Sequence, residues 1–184
     1  MDNGAESYRR YLDGDDSGFT ELVKIYMNGL LFFVNGYVKN ASAAEDITED
    51  TFFTLAVKKP RYIDGASFRT WLYTIARNKA LNYLRTQSRR RSVAIDEAAE
   101  IAAELNLEAE VLRTERQRQL HGAMEKLKPE YREVLHLIYF EQLDTNNTAQ
   151  IMKKSPRQVT NLLYRAKQAL KTKLEQEGFE YEEL

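Results

Sequence analysis

The chain has no cysteine, only three prolines and only eight glycines among its 184 residues. The missing thiols exclude a disulfide framework, a thiolate zinc site and a cysteine nucleophile. So few helix breakers, with no sustained alternation of apolar and polar residues, leave little room for strands. Long hydrophobic runs are also missing. The longest, residues 30–34, falls far short of the roughly 20 apolar residues that span a bilayer. Residues 1–10 lack the basic-then-apolar layout of a secretory leader, so the expected location is the cytoplasm. What remains is 43% apolar and 30% charged, the balance of a folded globular chain. The expectation is an all-α protein.

The net charge of −1 conceals a segregation. Residues 61–95 carry eight basic side chains and one acidic; residues 155–174 carry five basic and none acidic. Acidic stretches precede, separate and follow these blocks. Two compact basic blocks suggest one polyanion gripped at two places, although solvated helix faces would account for either block alone. Residues 89–115 are rich in Ala and Glu, lack aromatics and begin with Arg89-Arg90-Arg91, which reads as a tether. The expected organisation is two small helical domains, 1–88 and 116–184, joined by an acidic linker, 89–115.

In the first domain, Phe19, Leu22, Val23, Tyr26, Leu30, Phe33 and Tyr37 recur at helical spacing and predict a long core helix, weakened by Gly29 and Gly36. Ser42-Ala43-Ala44-Glu45 has the form of a capping box and predicts the next helix start. That helix places Glu45, Asp46, Glu49 and Asp50 in its first turns, where the helix dipole favours acid, and Ile47, Phe52, Phe53 and Leu55 on its apolar face. A di-metal carboxylate bundle needs Glu-x-x-His on facing helices, and the chain has only two histidines, His121 and His136. No metal or other cofactor is therefore expected. The acids read as solvated, dipole-favoured side chains or as a docking edge for a basic partner.

Residues 67–88, free of Pro and Gly, predict a third helix. At about 100° per residue, Leu72, Ala76, Ala80 and Tyr83 face one way. Trp71, Thr74, Asn78, Asn82 and Arg85 form another stripe, with Arg77 beside it. Cations for phosphate, amides for base edges and a ring for stacking suit a nucleic-acid strand. A core-packed Trp71 is the alternative.

In the second domain, Pro129 marks a helix start, and Val134, Leu135 and Ile138 share one face of residues 131–140. A short helix over about residues 146–153 follows. Ser155-Pro156-Arg157-Gln158 then supplies a serine cap, a proline at the first helical position and Gln three after the cap. The last helix buries Val159, Leu163, Ala166, Leu170 and Leu174, and displays Arg157, Thr160, Asn161, Tyr164, Gln168 and Lys171, with Arg165 at the edge. A short helix, a tight turn and a helix with a polar start follow helix-turn-helix logic; an ordinary helical hairpin is the alternative.

Residues 44–52, AEDITEDTF, resemble the polymerase-binding helix of sigma region two. Residues 67–78, SFRTWLYTIARN, continuing through ALNYLR at 80–85, are similar to the promoter-melting helix of extracytoplasmic-function sigma factors of the sigma-70 family. Leu143, Ala149, Ile151, Ser155, Val159, Leu163, Arg165, Ala166 and Lys167 resemble sigma region four. The chain departs from the family at Glu49, Asp50 and Asn82, where Gln, Glu and Asp are usual. It departs again at Thr148 and Lys154, usually apolar, at Lys153, usually Gly, and at Leu162, often Arg.

The resemblance implies a promoter-specificity subunit of bacterial RNA polymerase with no catalytic residues of its own. It implies polymerase docking by Glu45, Asp46, Ile47, Asp50 and Phe52. Minus-ten DNA would meet Tyr62, Asp64, Ser67, Trp71, Arg77, Asn78, Asn82 and Arg85, with residues 61–67 forming a pocket for an extruded base. Minus-thirty-five DNA would meet Ser155, Arg157, Gln158, Thr160, Asn161, Tyr164, Arg165, Lys167 and Lys171. The implied partners are core RNA polymerase, promoter DNA and, as is common in the group, an anti-sigma protein. The acids Asp96, Glu97, Glu100, Glu104, Glu108 and Glu110 would lie in a basic polymerase channel. A stand-alone helix-turn-helix regulator leaves the Trp71-to-Arg85 stripe unexplained. A carboxylate enzyme lacks both histidine ligands and a Gly-rich phosphate loop.

Overall fold

The computed structural model describes residues 3–62, 67–93 and 115–176. Asp64, the six acids of the expected linker and the tail from Gly178 lie outside the described residues. Every regular element described is helical.

The first bundle has four helices: α1 (Asn3–Leu12), α2 (Asp16–Val38), α3 (Ala41–Phe53) and α4 (Phe68–Val93). Asp15 caps α2 by accepting from the Ser17 amide, and the helix ends where Lys39 turns left-handed. Leu22, Tyr26, Leu30, Phe33 and Val34 point inward along α2, as their spacing dictates. The start of α3 differs from expectation. Its cap is Asn40, whose Oδ1 accepts from the Ala43 amide at 2.8 Å, and Ser42 is exposed in the first turn. The whole helix thus begins earlier. Ile47, Phe52 and Leu55 are buried, but Phe53 is 59% exposed.

A π-helical turn, Thr54–Lys58, continues α3. Tyr8 of α1 is fully buried and donates to the Pro60 carbonyl (2.8 Å); Tyr11 donates to Ala56 (3.0 Å). These two phenols pin α1, a helix that sequence reasoning had not anticipated, across the chain between α3 and α4. Leu72, Ala76 and Ala80 are fully buried on α4, and the helix continues beyond Ser88 to Val93.

The second bundle contains α5 (Glu115–Glu125), α6 (Pro129–Leu135) with a π-helical continuation His136–Phe140, α7 (Thr145–Met152) and α8 (Pro156–Gln176). Asp144 caps α7 through the Asn147 amide (2.7 Å). Lys153 stops α7 with φ 54 and ψ 46, the left-handed geometry where Gly is favoured. The capping box at α8 closes in both directions: the Ser155 amide donates to Gln158 Oε1 (2.8 Å) and the Gln158 amide to Ser155 Oγ (3.3 Å). Val134, Leu135, Leu137, Ile151, Val159 and Ala166 form the interior. Each Val, Leu or Ile among them contributes about 1.5–3 kcal/mol on burial.

The two bundles touch. The first helix of the helix-turn-helix, α7, packs on α4, and α6 packs on α2. One continuous apolar cluster runs from Ala5 through Phe33 and Leu72 to Leu137 and Ala166.

Candidate nucleic-acid interface

The first four turns of α8 present a polar, cationic face. Arg157, Gln158, Thr160, Asn161, Tyr164, Arg165, Lys167 and Lys171 are all exposed, as is the capping Ser155. Tyr164 leaves 67% of its surface open. No acidic residue stands on α8 before Glu175. Two assignments acquire local duties: the Gln158 carbonyl oxygen is held by the cap, and Thr160 donates to Pro156 O (3.1 Å). Lys167 lies over the Tyr139 ring at 5.5 Å. This helix is anchored behind by Val159, Ala166 and Leu174, so its outer face is presented rigidly.

On α4 the expected stripe divides. Asn82 and Arg85 are exposed, with Arg85 donating to Asn82 Oδ1 (3.3 Å). Trp71 and Asn78 are half-buried, sealed in no apolar interior. Trp71 joins a ring cluster with Tyr8, Tyr62 and Phe68 at centroid distances of 5.4–5.5 Å. Tyr62 therefore stands where the chain enters α4, one face against Trp71, with Ser67 partly exposed beside it. Arg77 leaves the stripe. Its Nε donates to Glu133 Oε1 (2.7 Å) and to Tyr37 Oη (3.2 Å), and its side chain is only 13% exposed. Burial acts to lower the Arg77 pKa, but Glu133 and Tyr37 outweigh it and raise it.

On α3 the acids Glu45, Asp46, Glu49 and Asp50 form one exposed edge, and Asp50 pairs with Lys79 of α4. Two residues expected on a docking surface lie elsewhere. Ile47 and Phe52 are 8% and 4% exposed, because the helix phase turns them into the bundle. They support the edge from behind. The apolar side chains available beside it are Phe53 and Val57, at 59% and 61% exposure. Phe53 precedes the π turn, and the same α-helical phase that turns Ile47 and Phe52 inward points it to the opposite side.

Glu133 and His136 have Glu-x-x-His spacing, yet each has another duty: Glu133 holds Arg77, and His136 Nε2 lies 3.2 Å from Glu141 Oε1. Among the described residues no three His, Cys, Asp or Glu side chains converge on a metal site. None of the described helices is long and apolar enough to cross a membrane.

A helix-turn-helix with a cationic recognition helix, joined to a bundle bearing an aromatic and amide stripe and an acidic edge, is the architecture of a promoter-recognition protein. The comparisons sharpen that class. Sigma-70 region 2 matches residues 22–90, and Sigma-70 region 4 matches residues 117–170. The RNA polymerase sigma factor CarQ of Myxococcus xanthus is 30% identical over 128 residues, 70% of this chain and 72% of that protein. The ECF RNA polymerase sigma factor SigM of Bacillus subtilis is 28% identical across 82% of this chain and 91% of that protein. The fold is similar to that of the sigma factor RpoE of Bartonella quintana, solved in complex with the anti-sigma factor NepR. The TM-score is 0.66 at 22% identity, over 85% of this chain and 96% of that one. The chain belongs to the sigma-70 family, in its extracytoplasmic-function group, and is a promoter-specificity subunit of RNA polymerase.

Proposed function

We propose that the three surfaces divide the work of promoter recognition. The edge Glu45, Asp46, Asp50, together with exposed Phe53 and Val57, docks on a basic, partly apolar face of core polymerase. Charge complementarity there orients and speeds assembly more than it sets affinity. Tyr62, Trp71, Asn78, Asn82 and Arg85 receive the opened minus-ten strand, stacking on the aromatic pair and bonding through the amides. The outer face of α8 enters the major groove at the minus-thirty-five element, with Arg157 and Asn161 toward base edges and Lys167 and Lys171 toward phosphates. Residues 1–88 and 116–184 form the two modules. The protein works in the cytoplasm, has no catalytic step of its own and is held in reserve by an anti-sigma protein. The observation that carries the reading is the wholly cationic and polar outer face of α8, exposed behind a closed capping box.

Run-off transcription tests it: purified chain and bacterial core polymerase are given a promoter library. Selective, chain-dependent transcripts support the reading. A folded chain that fails to bind core at low salt removes it, and tight duplex binding without polymerase would favour a stand-alone regulator. Asp50→Lys is expected to lose core binding while the helical content persists.

A further inference from the structure

Arg132 of α6 is a buried cation without a carboxylate to itself. Its side chain is only 9% exposed, and its Nη1 donates to the Glu125 carbonyl (3.0 Å). The Glu125 carboxylate lies 3.8 Å from that nitrogen, but its other oxygen is taken by Lys39 at the end of α2. Two cations thus share one acid. The neighbouring acids are engaged elsewhere: Glu133 by Arg77, and Glu141 by Arg69 and His136. The Arg132 Nε has no hydrogen-bond partner among the described residues.

The electrostatics agree. Burial lowers the Arg132 pKa and its surroundings do not make up the loss, whereas at Arg77 they do. Lys39 is pushed down to about 8, by burial first and by the Arg132 charge second. A buried guanidinium short of counter-charge, with an N–H unused, stabilises an anion brought to it.

That guanidinium borders a cavity of about 360 Å³ between α2, α5 and α6, a volume within the range of small-molecule sites. Much of the remaining wall is made of rings. Phe33 meets Tyr37 (5.3 Å) and His136 (5.5 Å), Phe32 meets His121 (6.0 Å), and His136 stacks on Phe140 at 5.4 Å and 10°. Phe140, 54% exposed, stands at the rim. Such walls favour an aromatic occupant, because ring pairs gain more than the area they bury.

Gly36 is a second, independent sign. It lies in the last turn of α2 and lines the same cavity. Glycine disfavours a helix, and the packing does not require it here. Among the described residues a Cβ would meet nothing closer than Arg132 Cδ and Nε, both at 3.7 Å, an ordinary contact. The missing side chain therefore leaves space directly in front of the guanidinium.

We propose that this cavity is a binding site for a small aromatic monocarboxylate, its carboxylate on Arg132 beside Gly36 and its ring among Phe32, Phe33 and Phe140. One excess cation in the wall matches one negative charge on the ligand. None of the lining residues belongs to the faces assigned to DNA or polymerase, so the site is a separate chemical input and does not depend on those assignments.

The test uses the full chain, 2-naphthoate as the probe and isothermal titration as the readout. Saturable one-to-one binding is expected, at least about tenfold tighter than for 2-naphthamide, which has the ring without the charge. It should be at least about threefold tighter than for octanoate, which has the charge without the ring. Gly36→Leu fills the space before Arg132; it is expected to abolish naphthoate binding while helical content and unfolding midpoint are kept or raised. Arg132→Met is expected to weaken naphthoate at least about tenfold and to leave naphthamide unchanged. Should Arg132→Met lose helical content, Gly36→Leu alone decides. The site is overturned by any of three results: no saturable naphthoate binding up to about 1 mM, naphthamide binding as tightly as naphthoate, or naphthoate binding untouched by Gly36→Leu. Octanoate binding as tightly as naphthoate overturns the aromatic character of the ligand.

Discussion

Gly29 and Glu141 lie in different bundles, yet the missing side chain of one is filled by the carboxylate of the other. A Cβ on Gly29 would stand 2.7 Å from Glu141 Oε1. Gly29→Ala gains helix propensity but forces Glu141 and the Tyr73 hydroxyl aside. The Glu141 side chain can retreat, so the contact between bundles is expected to loosen, with a smaller loss inside the first bundle where the buried Tyr73 must shift. Small-angle scattering is expected to show a larger radius of gyration for Gly29→Ala with little loss of helical content. An unchanged radius would contradict this.

Thr148 is fully buried, and its hydroxyl finds no hydrogen-bond partner among the described residues. An unsatisfied buried hydroxyl costs about 1–3 kcal/mol. Thr148→Val keeps the shape and removes the penalty. Urea unfolding is expected to show stabilisation of about 1 kcal/mol with an unchanged denaturant slope.

Lys153 adopts φ 54 and ψ 46 at the turn between α7 and α8. For an L-residue this region costs about 1–2 kcal/mol, and Gly avoids the steric part. Lys153→Gly is expected to raise the unfolding midpoint temperature by a few degrees, since the ordinary scale is about 2–8 °C per kcal/mol. A lower midpoint would show that the lysine has a compensating role.

Burial pushes the Glu141 carboxyl upward, but the His136 hydrogen bond and charge, the neighbouring Tyr73 hydroxyl and Arg69 together hold it below the ordinary carboxylate value of 4.5. A depressed carboxylate contributes stability that is fully present above its unfolded pKa and is lost as pH falls through the lower folded value. Folding stability is therefore expected to be constant at neutral pH and to weaken progressively below about pH 4.5. Urea unfolding at a series of pH values measures this, and Glu141→Gln should flatten the response if the carboxyl is its source.

The paired change Arg157→Ala with Asn161→Ala removes exposed side chains from the first turns of α8 without touching its buried face. Selectivity at the minus-thirty-five element is expected to fall by about fivefold to 150-fold per lost base contact, at about 1–3 kcal/mol each. Core binding should stay intact. Equal loss of core binding would relocate the role of this face.

Local signals read well from sequence where one physical rule dominated. The Ser155 capping box, Pro129 at a helix start, and the inward Leu72–Ala76–Ala80 face follow directly from short-range rules, and all three stand in the structure. Ser42 was misread because Asn40, two residues earlier, is an equally good cap and reaches the Ala43 amide first. Ile47 and Phe52 were assigned to docking on likeness alone, although their helix phase directs them inward. The contact between bundles was illegible for a different reason. Arg77 on the wheel looks like any exposed cation, and only the fold brings Glu133 to it. The one trace in the sequence was Gly29, which reads as a weakness in a helix until its neighbour is known.

Both π-helical turns lie beside large uncovered side chains: Phe53 precedes one and Val57 belongs to it, and Tyr139 and Phe140 finish the other, at 49% and 54% exposure. A helix that packs one stripe inward and also sets greasy residues on the opposite side is apolar on two faces. Removing the outer pair, by Phe53→Ser with Val57→Ser, would leave the interior filled while taking away the uncovered surface on which the proposed polymerase docking relies.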